Sequence, residues 1–61
     1  MTQVKLMTEE NGLEVLQERI NKFIKDNQQS IKVNRVNVYP VTPMDMEEYY
    51  MASIQYDKIV S

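Results

Sequence analysis

Leu13-Glu14-Val15-Leu16-Gln17-Glu18-Arg19-Ile20-Asn21-Lys22-Phe23-Ile24 is the stretch on which the fold turns. After Leu13, apolar residues recur at Leu16, Ile20, Phe23 and Ile24, offsets of 3, 7, 10 and 11 that fall on one stripe of a 3.6-residue helix. The spacing predicts an amphipathic helix over about residues 12–27. Asn11 stands where an N-cap is expected, and Glu14, three residues on, is placed as its capping-box partner. Glu9, Glu10 and Glu14 gather at the helix start while Arg19, Lys22 and Lys25 occupy its second half, which offsets the helix dipole at both ends. Glu18 and Lys22 form an i,i+4 pair in the favourable order, and Asn27-Gln28-Gln29-Ser30 ends the element.

Upstream, Gln3 to Met7 alternates polar and apolar with Val4 and Leu6 on one face, which predicts a strand over about 3–7. The polar run Thr8 to Gly12 closes it with the only glycine of the chain. Downstream, Ile31 to Val41 is rich in β-branched residues and predicts a second strand. Ile31 and Val33 are in one phase, Val36 and Val38 in the other, so a bulge is expected near Asn34-Arg35 unless the strand proper starts there. Pro40 has no ladder donor and belongs on an edge or at the strand's limit. After a loop at 42–48, a third strand over about 49–58 places Tyr50, Ala52, Ile54 and Tyr56 on one face and Tyr49, Met51, Ser53 and Gln55 on the other.

The order β-α-β-β predicts a single α+β domain over 1–61, with one amphipathic helix packed on a small three-stranded sheet. A chain of 7.2 kDa exposes about 10,400 Å² unfolded and about 4,100 Å² folded. Burial of the difference contributes roughly 95 kcal/mol, against about 90 kcal/mol for ordering the chain. Disulfides and thiolate or imidazole metal sites are excluded by the absence of Cys and His, so association is the expected supplement. One helix covers one face of such a sheet. The other face is expected to carry some of Met7, Tyr39, Val41, Tyr49 and Met51, and a homodimer or higher homo-oligomer formed by stacking or edge pairing, with Tyr39, Tyr49 and Met51 at its interface, would cover them.

Composition also bounds function. Nine acidic against seven basic residues give a net charge of −2, so nucleic acid is not an expected partner. No apolar run approaches a bilayer span and the start lacks a signal peptide's pattern, so no membrane association and a cytoplasmic location are expected. Without His, a Cys nucleophile or a glycine-rich phosphate loop, no enzymatic activity and no cofactor are expected. Asp45, Glu47 and Glu48 lack the spacing and turn glycine of a calcium loop and read as a solvated acidic segment.

Two clusters remain. Met44, Asp45, Met46, Glu47, Glu48 and Tyr49 set adaptable methionines among acids beside an aromatic anchor, a composition suited to binding a protein. The alternative is that Met44 and Met46 pack over the helix end. Lys22, Lys25, Lys32 and Arg35 form a second candidate, an anion site for a phosphorylated nucleotide, against the alternative that they serve solubility and the helix dipole.

Val4-Lys5-Leu6 before an acidic stretch, the helical segment Ile20-Asn21-Lys22-Phe23-Ile24 and the late strand Met51-Ala52-Ser53-Ile54-Gln55-Tyr56 together resemble the small acidic sporulation proteins of bacilli, a family with homologues in phages of those hosts. The resemblance spans nearly the whole chain and departs from the family at the Pro-flanked loop and the Gln/Asn-rich helix end. It implies a Gram-positive or phage origin and a non-enzymatic role, and transfers no functional residue. The expected function is that of a homo-oligomeric interaction protein that binds and inhibits a host protein, an anti-defence inhibitor. An oligomeric sponge for a phosphorylated nucleotide signal and a structural protein of sporulation are the alternatives.

Overall fold

The computed structural model describes residues 2–45 and 47–59. Four elements follow in the expected order: β1 (Thr2–Glu9), α1 (Leu13–Asn27), β2 (Ile31–Val41) and β3 (Tyr49–Lys58). The last strand lies in the middle, giving a fully antiparallel sheet of order β1-β3-β2 with both other strands at its edges. Helix α1 lies across one face, over β1 and β3.

Leu16 and Ile20 of the predicted stripe are buried against Met7, Ala52 and Ile54, and Phe23, Ile24, Val33, Tyr50 and Tyr56 surround this centre. Phe23 meets Tyr56 edge-on, with ring centroids 5.9 Å apart and planes at 61°. The Tyr56 hydroxyl donates to Gln3 Oε1 at 3.0 Å, so its polar end is satisfied where the aromatic body is packed.

The bulge expected in β2 is present. Val33 pairs with Tyr56 and Arg35 with Gln55, leaving Asn34 as the extra residue. That single insertion brings Ile31, Val33, Val36 and Val38 onto the helix-facing side despite their opposite phases in the sequence. Pro40 sits near the end of β2, an edge strand, as its missing donor requires.

Three expectations are corrected. Met7, expected on the uncovered face, is only 8% exposed and pairs with Ala52 beneath the helix, whereas Val4 and Leu6 point outward at 53% and 60% exposure. Register decides this: the large Met7 fills the space left by the small Ala52, and Gln3 at the same parity finds the Tyr56 hydroxyl. The helix is not capped by Asn11. Its N-cap is Gly12, at φ 128°, whose carbonyl accepts from Leu16 N at 3.3 Å, while the Asn11 side chain donates to Glu9 Oε2 at 2.9 Å. A positive φ of this size excludes a side chain at low cost, so the glycine wins the cap position on backbone grounds. The ion pair formed among the described residues is Arg19–Glu9, at 2.9 Å, and not Glu18–Lys22.

Candidate functional site

Two polar clasps set the geometry of the sheet. Arg19 reaches from the helix to β1, donating to the Thr8 carbonyl at 2.7 Å and to Glu9 Oε1 at 2.9 Å. The Arg19 guanidinium, with the Asn11 backbone N–H at 3.2 Å, holds the Glu9 carboxyl below its ordinary value of 4.5. At the opposite end, Asp57 of the central strand accepts from Asn34 Nδ2 at 2.8 Å and from Thr2 Oγ1 at 3.0 Å. These two hydrogen bonds, that of Asn34 first, hold the Asp57 carboxyl below its ordinary value of 3.8. One side chain thus ties the three strands together, and the bulge residue supplies one of the ties.

Among the described residues no other element covers the face turned away from α1. Beyond the Asp57 clasp it carries Val4 opposite Gln55 and Leu6 opposite Ser53, with Arg35 and Asn37 across from these two polar residues on β2, then Tyr39 opposite Met51 and Val41 opposite Tyr49. Tyr39 donates its hydroxyl to Met51 Sδ at 3.1 Å, so these two residues of the expected interface form one cross-strand unit. Tyr49 shares their face and lines a cavity of about 280 Å³ with Thr8, Glu10 and Pro43. Val4 and Leu6 enlarge this apolar surface. The signal for them was in β1 itself, where Met7 stands in the opposite phase to the two aliphatic residues.

In the loop, Met44 is 99% exposed, which removes the alternative that it packs over the helix end. Asp45, Glu47 and Glu48 are exposed as well. Met46 lies outside the described residues. Among the described residues no group of three or more acidic side chains is arranged to hold a metal ion.

The basic candidates divide. Lys32 and Arg35 pair with Asp57 and Gln55, at the parity of the uncovered face. Lys22 and Lys25 are exposed on α1, which covers the other face, and at 100° per residue they fall on the side away from the Leu16–Ile20 stripe. The sheet lies between the two pairs.

A second recess opens where α1 fails to reach β2. It has a volume of about 310 Å³ and is lined by Gln17, Ile20, Asn21, Val36 and Val38. Val36 and Val38 consequently remain 39% and 41% exposed on the side that should be core. No helix among the described residues is long and apolar enough to cross a membrane. No protein-family model, curated protein or solved structure matches the chain.

Proposed function

We propose that this chain is a non-enzymatic, homo-oligomeric interaction protein that occupies a host protein and thereby inhibits it, in the manner of an anti-defence protein of a phage or Gram-positive bacterium. The observation that carries the reading is the uncovered sheet face, where Val4 and Leu6 on β1 and the Tyr39–Met51 unit on β2 and β3 leave large apolar side chains outside the core. The exposed Met44 and the acids Asp45, Glu47 and Glu48 lie in the loop that leads into Tyr49 at one end of that face, adding an acidic rim beside its Tyr39–Met51 unit. An acidic rim favours a basic partner surface, such as a site that handles nucleic acid or nucleotides, by steering and register. The host origin rests on the resemblance to the sporulation proteins of bacilli.

Native mass spectrometry after incubation with a bacillus lysate tests the reading. Retention of a host protein is expected, and reversing Asp45, Glu47 and Glu48 to Lys abolishes it while the circular dichroism spectrum is unchanged. Retention of a small phosphorylated molecule instead transfers the function to the nucleotide sponge, and retention of neither leaves the structural role in sporulation.

A further inference from the structure

We infer that two copies join edge to edge through β2, by a two-fold axis at Asn37, into one continuous six-stranded sheet. The inference extends the oligomeric half of the function proposed above and leaves the partner-binding face free. Three independent observations support it, the first for a second copy and the other two for β2 as the strand.

The first is area. The chain exposes 4914 Å², about 800 Å² more than the roughly 4,100 Å² of a compact protein of its mass. Its radius of gyration is 13.0 Å, against about 10.5 Å for a compact chain of this length. The excess equals what each partner of a standard interface contributes, about 800 Å².

The second is the contrast between edges. At β1 the helix lies overhead and Arg19 already occupies a backbone carbonyl, that of Thr8. At β2 the helix stops short, and Val36 and Val38 face the recess beside it. A second β2 laid alongside covers both valines from the strand edge.

The third is the sequence of the edge itself. The two interruptions of β2, the bulge at Asn34 and the proline at Pro40, stand three residues either side of Asn37. Under a two-fold at Asn37 each interruption faces the other, so neither falls within the paired segment Arg35-Val36-Asn37-Val38-Tyr39. Within it, Val36 opposes Val38 of the second copy on the helix-facing side. Arg35 opposes Tyr39 of the second copy on the outer side, a cation over an aromatic ring. Asn37 opposes itself. Because a proline nitrogen cannot donate into the β2–β3 ladder, Pro40 and its same-parity neighbours Val36 and Val38 turn their backbone groups outward. The pairing therefore forms four backbone hydrogen bonds between Val36 and Val38 of the two copies, and Asn37 is a non-hydrogen-bonded pair. The bulge and the proline end the ladder on both sides, and the two-fold uses the β2 edge of each copy once, so the pairing closes at a dimer.

The absence of cysteine makes this directly testable. Non-hydrogen-bonded antiparallel pairs have Cα atoms about 4.5 Å apart, within the range that a disulfide spans. Asn37→Cys, mildly oxidised at micromolar concentration, is expected to run as a covalent dimer, whereas Leu6→Cys on the outer face of β1 is not. By light scattering the unmodified chain is expected at twice its mass, and Val36→Lys, at a half-exposed position, at the mass of a single folded chain. A monomeric wild-type chain overturns the inference. A wild-type dimer whose Asn37→Cys variant does not cross-link overturns it too, as does equal cross-linking of Leu6→Cys, which indicates stacking of the outer faces. None of these results bears on whether the loop at 42–48 retains a host protein.

Discussion

The two edge strands of the sheet receive opposite treatment. β1 lies under α1, is fastened by Arg19 to the helix and contributes Met7 to the core. β2, three residues longer, buries Ile31 and packs Val33 at its start and is tied by the Asn34–Asp57 bond, but two of its later valines remain half-exposed beside an open recess. A single 15-residue helix is enough for about two strands. Which two is decided by the side chains that reach sideways from the helix: Arg19 goes to β1, while Gln17 and Asn21, on the other flank, only line a gap.

Substitutions at the covered side should therefore cost far more than their counterparts at the open side. Leu16→Ala removes a fully buried side chain at the centre of the covered half and is expected to cost about 2–5 kcal/mol, enough to unfold most of a domain this small. Val38→Ala in the single chain should cost under about 1 kcal/mol; equal losses in urea titrations would show that β2 is as well packed as β1. Between these two in size, Gly12→Ala introduces a side chain at φ 128° and is expected to cost about 1–3 kcal/mol. Open space around that position means that strain alone is measured.

The two clasps give a pH signature. Glu9 and Asp57 have folded values below their ordinary 4.5 and 3.8, so each stabilises the fold above its unfolded value. That contribution is lost as pH falls through the lowered folded value. Stability should hold from neutral pH to about pH 5 and decline below it. Glu9→Gln or Asn34→Ala should flatten that acid limb, and an unchanged limb in either variant would remove the corresponding clasp from the account. Smallest of all, Val4→Ser and Leu6→Ser should shift fold stability by no more than about 0.5 kcal/mol. A larger loss would mean that the outer face is covered in the folded state.

Much of this was legible in the chain because local patterning carries it. The Leu16–Ile20 stripe, the two phases of β3 and the bulge at Asn34 are each written as a spacing, and each appears where the spacing put it. The N-cap was misread because Asn11 satisfies the local preference, yet Glu9, two residues back, competes for its side chain. The orientation of β1 was misread because Val4 and Leu6 outvote Met7 in hydrophobicity, and only pairing with Ala52 reverses the vote. Of the candidate residues, the exposed acids and Met44 and the Tyr39–Met51 unit stand where the sequence suggested, while the four bases fall on two sides of the sheet.

The amino-acid order alone determined the elements, their sequence along the chain and the amphipathic character of the helix, since these depend on neighbours within a turn or a strand. Tertiary structure alone decided that β3 is central, that Met7 is inside and that α1 leaves Val36 and Val38 of β2 half-exposed. Those outcomes depend on contacts between residues up to 55 positions apart, such as Gln3 with Tyr56 and Thr2 with Asp57, which no local spacing encodes.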